Sequence, residues 1–307
     1  MIKSPLNYTG NKSRLLDQLL PHFPQKINKF VDMCCGGASV GLNTNAKYVM
    51  CFDNNKNVID LLQTLRFFTE KTIVDRVEEF INTFKLSDTF NKGYDIYRKY
   101  IQGNNGLKQY NTEGYMKLRT FYNGKSLNTK RDTAVCLFTL LVFCFNNDLR
   151  FNSSGKFNMP VGKTDFNESM RKKLKSFKYG ITNKDIDFFQ NDFNVLKDLD
   201  LHRDDFVYID PPYLITNAVY NESGSKWNEI KETELLSVLS YLDDRGIRFA
   251  LSNVLKKGDK ENTILSSWIR KNKFNIHYIN YHYRSSSYNK KDRVTPEEEV
   301  LITNYNV

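Results

Sequence analysis

The sharpest chemical signal in the chain is Asp210-Pro211-Pro212-Tyr213, which directly follows the apolar run Phe206–Ile209. A carboxylate and a neighbouring backbone carbonyl are two hydrogen-bond acceptors aimed at one spot. An exocyclic amino group such as N6 of adenine is a poor nucleophile, because its lone pair is delocalised into the ring. Asp210 can accept one of its N–H groups and the carbonyl of Pro211 the other. That pairing favours a tetrahedral nitrogen with its lone pair directed at an incoming methyl group. Pro211 and Pro212 fix φ and donate no N–H, so the carbonyl is held rigidly outward. Tyr213 can stack on a base that has left its helix. The tetrapeptide also suits a plain strand stop at a proline turn. Cytosine N4, RNA adenine and a protein glutamine would present the same planar nitrogen.

A second set of residues supplies a cofactor site. Residues 28–33 (NKFVDM) read as a buried strand with Asp32 at its end. The turn CCGGAS with Gly36 and Gly37 follows, and then a helix from about Ser39. Residues 47–53 (KYVMCFD) read as the next strand, ending at Asp53, about 20 residues beyond Asp32. An acid there can accept both hydroxyls of a ribose. The full G-x-G-x-x-G fingerprint that brings backbone N–H groups to a pyrophosphate is absent. A nucleoside cofactor without phosphates needs no such fingerprint, and S-adenosylmethionine fits. Its sulfonium is already a good leaving group, so neither a metal nor a covalent intermediate is required. Cys34 and Cys35 read as small packing residues.

These residues need a frame. Strand, turn, helix and strand in succession favour a parallel sheet, whose strand C-termini carry the active site. Residues 56–68 read as a helix with Val58, Ile59, Leu61, Leu62 and Leu65 on one face. The β-α pattern resumes at 206–210, with a helix at 231–244, a strand at 247–253, and a last strand pair at 274–283 and 298–304 that suggests an antiparallel hairpin at the sheet edge. Between about 70 and 185 the chain changes to Asn, Lys, Phe and Tyr, with helical stretches at 73–86 and 132–145 and a long polar loop at 146–168. This reads as an insertion over 69–185, leaving 1–68 and 186–307 as the catalytic part.

The chain of 307 residues carries a net charge of +10. Such an excess suggests a polyanionic partner. Nothing reads as a membrane span or a signal peptide, and five cysteines without zinc-ligand spacing suggest a reduced, cytoplasmic protein.

Taken together, the motifs resemble those of the Dam-like (D12, group α) adenine-N6 DNA methyltransferases nearly end to end. SPLNYTGNKSRLL resembles the family's opening cofactor motif, which implies Tyr8 and Lys12 as contacts to the methionine part. FVDMCCGGASVGLN is similar to its glycine motif, with Asp32 as a further candidate contact, and CFDNN carries its ribose acid as Asp53. FFQNDF implicates Asp192 and Phe193 at the cofactor's adenine, and EEVLITNY resembles the family's final strand. The resemblance implies a Rossmann-like S-adenosylmethionine-dependent sheet with a C-terminal antiparallel hairpin. It also implies an inserted, mostly helical target-recognition domain with a β-hairpin.

FCFNNDLRFNSSGKFNMPVGK (143–163) resembles that hairpin. By the match, Phe145 and Asn146 enter or hold the opened duplex, Arg150 reads a guanine edge, and Asn158 and Pro160 lie near the bases. Asn147 and Asp148 replace the family's glycine and apolar residue. Asp148 can accept from a cytosine amine and disfavours a thymine methyl, so the resemblance leaves open whether GATC, the family's commonest target, is the site.

Arg284, Ser286, Lys290 and Lys291, with Arg293, lie in a loop where the family meets the DNA backbone. A second basic run, Arg171 to Lys178, reads as a solvated helix face. The resemblance implies base flipping on double-stranded DNA by a bacterial or phage enzyme acting as a monomer. It also allows a cognate restriction endonuclease as a partner at the same site. A DNA-binding relative without catalysis is the alternative, and intact Asp210 and Tyr213 argue against it.

Overall fold

In the computed structural model, the described residues are 1–4, 6, 10–216, 227–280 and 297–306. Eight strands form one sheet: β1 (Lys29–Met33), β2 (Tyr48–Asp53), β3 (Ile186–Gln190), β4 (Phe206–Ile209), β5 (Arg248–Lys257), β6 (Lys260–Glu261), β7 (Asn275–Ile279) and β8 (Glu297–Thr303). The order is β3-β2-β1-β4-β5-β8-β7, with β6 paired to β5. The five strands from β3 to β5 run parallel, whereas β8 pairs antiparallel with β5 and with β7. The expected antiparallel pair is therefore present at the sheet edge. β8, the last strand in sequence, lies between β5 and β7.

The sheet buries both faces, as its alternation dictates. Phe30, Phe206 and Tyr208 point into one apolar cluster, and Val31, Met33, Val207 and Ile209 into the other. The helices are α1 (Leu16–Leu19), α2 (Ser39–Asn43), α3 (Lys56–Phe67), α4 (Glu70–Thr83), α5 (Thr89–Lys92), α6 (Lys108–Asn123), α7 (Lys130–Phe143), α8 (Glu168–Thr182), α9 (Glu229–Asp244) and α10 (Thr263–Asn272). Leucines of α9 and Leu265 and Ile269 of α10 cover the second face. α3 covers the first, and α7 packs behind it, buried without interruption from Ala134 to Phe143. A helix apolar all round must be enclosed, and α3, α4 and α6 enclose this one. The apolar residues of 73–181 thus join the sheet's own core in one continuous cluster.

Side-chain caps explain where several helices begin. Asn55, Thr69, Thr129, Asn167, Asn228 and Asn262 each accept a first-turn backbone N–H. Two of the longer helices, α6 and α10, go beyond the sequence reading. α6 buries Asn111, Tyr115, Leu118 and Tyr122 at helical spacing, and its Gly114 lies so close to Phe84 that a Cβ would stand 2.1 Å from that carbonyl oxygen. In α8 Lys172 and Lys175 are exposed, as expected of a solvated face, whereas Arg171 is half-buried and Lys178 buried. Arg171 pairs with Glu78 at 2.7 Å and lies over the rings of Phe90 and Phe166, while Lys178 is buried and donates to the carbonyl of Leu65 at the end of α3. Their long apolar stems pack while their cations find acceptors. Among the described residues no helix is long and apolar enough to cross a membrane.

The strand order reverses at β1, which has β2 on one side and β4 on the other. Chain excursions leave this point in opposite directions, which opens a crevice beyond the strand C-termini. Asp32 and Asp210 both lie at that crevice.

Candidate active site

Asp210 follows β4 directly, and its backbone N–H donates to the carbonyl of Met33 on β1 at 3.3 Å. Its Oδ1 accepts from the ammonium of Lys12 at 2.9 Å and from the hydroxyl of Tyr213 at 2.9 Å. Lys12 also donates to the Tyr213 hydroxyl at 2.8 Å and lies 3.5 Å from Oε1 of Glu299 on β8. The Tyr213 hydroxyl is itself 3.2 Å from Glu299 Oε1. Having one proton, that hydroxyl can serve only one of the two carboxylates at a time. Lys12, Tyr213 and Glu299 are 3%, 7% and 4% exposed, so the cluster is almost dry. Burial pushes both carboxyls above their ordinary range, and Lys12 opposes the shift in each. Lys12 also stands 5.0 Å from the centre of the Tyr213 ring.

The turn after β1 supplies the adjoining wall. Cys34, Gly36 and Ala38 have φ of 62°, 49° and 56°, a chain of left-handed residues. Asp53 fixes that turn: its Oδ2 accepts from the N–H of Gly36 and its Oδ1 from Asn55, both at 2.9 Å. Asp32 accepts from the N–H of Gly41 at 2.8 Å. Burial lifts the Asp32 carboxyl to about 7, with the charges of Asp210 and Asp53 adding to the rise. Gly37 and Gly41 are held to glycine by space, since a Cβ would meet Ser4 Oγ at 2.9 Å and Cys51 Sγ at 2.8 Å respectively. The Cys34 thiol is pushed well above its ordinary range by burial and by the carboxylates of Asp53, Asp210, Asp32 and Asp192 around it. A thiol so disfavoured as thiolate is no nucleophile.

Asp192 caps the turn Phe193–Lys197 by accepting from Asn194 at 2.9 Å. Phe193 is buried edge-on against Trp227, with 5.9 Å between ring centres. The segment lies beside Asp53, whose carbonyl accepts from Asn191 at 3.1 Å. The structure thus brings Lys12, Asp32, Gly36, Gly37, Asp53, Asp192, Asp210 and Tyr213 to neighbouring strand ends. Pro211 is buried and Pro212 half-buried beside them. Glu299 was missed by sequence reasoning. Its signal is faint: in EEEVLIT, β8 places an acid among positions that otherwise bury Val300, Leu301 and Ile302.

The stretch after α7 folds back on itself. Cys144 bridges Val161, Phe151 bridges Phe157, and the N–H of Phe145 donates to the carbonyl of Pro160 at 2.8 Å. α6 holds this hairpin through Tyr115 and Arg119, both donating to the carbonyl of Met159, and through Asn123, which accepts from and donates to the backbone of Phe157. Phe145, Asn146, Arg150 and Pro160 are exposed. The guanidinium of Arg150 is fixed from one side by Asn158, with Nε 2.8 Å from the side-chain oxygen and Nη2 3.2 Å from the carbonyl. Asn146 and Asn147 are both left-handed, at φ of 57° and 53°. Asn147 donates to the carbonyls of Leu141 and Val142, closing the end of α7. Asp148 accepts from the N–H of Leu149 at 2.8 Å. Tyr8, Arg284, Ser286, Lys290, Lys291 and Arg293 lie outside the described residues.

Comparison with known proteins agrees with this geometry. The family model for D12 class N6 adenine-specific DNA methyltransferase matches residues 8–285. The Type II methyltransferase M.FokI of Planomicrobium okeanokoites is 35% identical over 309 residues, 99% of this chain and 43% of that protein. The modification methylase StsI of Streptococcus sanguinis is 38% identical, again over 99% of this chain and 43% of its own length. A DNA adenine methylase of Haemophilus influenzae is 25% identical over 73% of this chain and 68% of its own. The chain therefore spans less than half the length of the first two relatives. A match over most of the chain, on a sheet whose switch point gathers the expected acids around Asp210, places this protein in the D12 class N6 adenine-specific DNA methyltransferase family.

Proposed function

We propose that this chain transfers a methyl group from S-adenosylmethionine to N6 of an adenine flipped out of duplex DNA at a specific site. The observation that carries the reading is the Asp210 carboxylate, fixed by Lys12 and Tyr213 at the strand end beside the turn that Asp53 pins. Five carboxyl groups, Asp32, Asp53, Asp192, Asp210 and Glu299, and one lysine suit a cofactor that carries an ammonium and a sulfonium, and would repel a pyrophosphate. Bound there, S-adenosylmethionine supplies an electrophilic methyl group. Asp53 is placed for its ribose, Asp192 and Phe193 for its adenine, and Lys12, Asp32, Gly36 and Gly37 for its methionine end, with Tyr8 from the family match.

The chain's residues then handle the substrate amino group. Both observed bonds to Asp210 fall on Oδ1, so the reading gives the amino proton to Oδ2, with the Pro211 carbonyl as second acceptor. As the nitrogen lone pair takes the methyl carbon, whose former bonding pair would stay on the departing thioether sulfur, one N–H proton leaves the cationic nitrogen for Asp210 and passes to water. Alignment and fixed charge carry the acceleration. Tyr213, its hydroxyl held by Lys12 and Asp210, is the aromatic residue that would meet the purine.

Residues 69–185 serve target recognition in this reading, and 1–68 with 186–307 catalysis. The exposed hairpin, with Phe145, Asn146, Asp148, Arg150, Asn158 and Pro160, enters the duplex, while Arg284, Ser286, Lys290 and Lys291 hold phosphates. A restriction endonuclease sharing its site fits the names of its relatives, which are called a Type II methyltransferase and a modification methylase, and the reading has the chain act as a monomer.

The test uses cofactor with a labelled methyl group, offered with duplex DNA, single-stranded DNA or RNA, followed by nucleoside analysis. N6-methyladenine from duplex is expected, and label found only in cytosine or only in RNA overturns the proposal. Asp210→Ala should lose activity by at least about a thousandfold, or ~4 kcal/mol of transition-state stabilisation, while binding duplex as before.

A further inference from the structure

Glu299 has no part in the motif-based account of the site, yet it is built into it. It sits in mid-strand on β8, in register with Val254 of β5 and Ile279 of β7, both buried and apolar. A carboxylate in such company is costly unless compensated. Its compensation is incomplete. Oε1 meets the Lys12 ammonium and the Tyr213 hydroxyl, whereas Oε2 is buried without a hydrogen-bond partner among the described residues. A purely structural ion pair gains nothing over an apolar pair of the same volume and suffers from one unsatisfied oxygen. Such a group is retained where the charge itself is used.

We propose that Glu299 is a positioning residue for methyl transfer: it holds Lys12 and Tyr213 against Oδ1 of Asp210 and shares the charge of Lys12, which keeps Oδ2 a strong enough acceptor for the substrate amino proton. The inference rests on the proposed function of the Asp210 site. Lys12 alone would bind Asp210 as a simple ion pair and weaken it as a proton acceptor. With a second carboxylate on the same ammonium, two negative charges share one positive charge. Among the described residues, the groups facing Glu299 are Lys12 from the turn Lys12–Arg14, Asp210 and Tyr213 beyond β4, and Glu297 from its own strand, itself paired with Lys257 of β5 at 2.8 Å. Val254 on β5 and Ile279 on β7 contribute no charge.

The test compares wild type, Glu299→Gln and Glu299→Asp in single-turnover methylation of duplex DNA as a function of pH, with duplex affinity and thermal midpoint measured on the same samples. Wild-type activity comes first: without it the proposed function fails, whatever Glu299 does. Given activity, Glu299→Gln should slow the single-turnover step by about 10-fold or more, an amount equal to ~1.4 kcal/mol, with duplex affinity unchanged. Its acidic limb should move to lower pH, because Asp210 then has Lys12 to itself. Glu299→Asp keeps the charge on a shorter arm, and should be slower than wild type with the limb in place. A structural role would lower the thermal midpoint in both variants and leave the limb unmoved. A folded Glu299→Gln with wild-type rate and limb overturns the proposal. If Glu299→Gln does not fold, a wild-type rate in Glu299→Asp overturns it instead.

Discussion

Replacing Lys12 by methionine removes one charge from the centre of the site and keeps most of the side chain's volume. In the wild type its ammonium lies 2.9 Å from Asp210 Oδ1, 2.8 Å from the Tyr213 hydroxyl and 3.5 Å from Glu299 Oε1. The variant leaves two buried carboxylates facing each other with no countercharge. Breaking a buried pair in this way costs about 3–5 kcal/mol. The cost should depend on pH with a definite sign. Burial already holds both carboxyls above their ordinary range, and Lys12 opposes that rise. A carboxyl raised in the folded state contributes stability at low pH, which is lost as pH rises through its folded value. Without Lys12 the rise grows, so the folded variant takes up its proton at a higher pH than the wild type does. One extra proton is worth about 1.4 kcal/mol per pH unit. Lowering the pH should therefore return part of the loss, at a slope of up to about 1.4 kcal/mol per pH unit.

Activity should move the opposite way. A protonated Asp210 cannot accept from an amino group, so Lys12→Met should methylate at least about 100-fold more slowly at pH 7, ~2.7 kcal/mol in barrier height, and recover as pH rises. Urea denaturation and single-turnover methylation, each run across pH 5 to 9, read the two trends on one preparation. If stability and rate change with pH in the same direction, or if neither differs from wild type, the shared-charge account of the site is wrong.

Three further predictions follow from neighbouring contacts. Asp32, held near 7 by burial, should subtract stability as pH rises from its ordinary value near 4 to about 7. Asp32→Asn should thus gain on the wild type across that window in urea denaturation, and a constant difference would count against it. Asn147 is left-handed and closes α7 with two hydrogen bonds, so Asn147→Ala should cost about 1–2 kcal/mol in denaturation. Asn147→Gly should cost less, because it keeps the backbone freedom; equal losses would assign everything to the cap. Arg150→Ala should relax discrimination at a single base pair by about 1–3 kcal/mol in a library of variant duplexes. Asn158→Ala should reproduce part of that loss through the guanidinium it fixes, and uniform weakening across all sequences would make both residues phosphate contacts.

Local chemistry was legible in the sequence wherever neighbours in the chain are neighbours in space. β1, β2 and β4 came within a residue or two of their expected limits, because buried strands show as apolar runs ending in an acid. α3 and α7 were likewise legible from their apolar positions. α6 was not, since its buried face includes Asn111 and Gly114, two residues that a hydrophobic pattern does not score. Asn147 illustrates a different blindness. As a departure from the family's glycine it looked like a change in base reading, whereas the structure uses it as a helix cap in a conformation that glycine and asparagine both tolerate. Arg171 and Lys178 looked like members of a charge run and turned out to be anchors, because sequence spacing does not reveal which carbonyl or carboxylate lies across a helix interface.

The ion cluster was the least legible part, and the reason is topological. Lys12 and Tyr213 are 201 residues apart, and Tyr213 and Glu299 a further 86. The three meet because β4 lies inside the sheet next to β1, while the last strand, β8, returns antiparallel beside β5 instead of extending the edge. That reversal places Glu299 of β8 beside Lys12, whose ammonium then lies within reach of both Glu299 and Asp210. The ion cluster is therefore complete only when β8 has docked, and under the role proposed for Glu299 the antiparallel edge of the sheet would serve the reaction as well as the fold. A variant that loosens β8 should thus lose methylation before it loses the parallel half of the sheet. Native-state hydrogen exchange of β8, set against residual activity in mild urea, distinguishes this from a site that needs only the parallel strands: activity should fall with the opening of β8 and not with the later opening of β1 and β4.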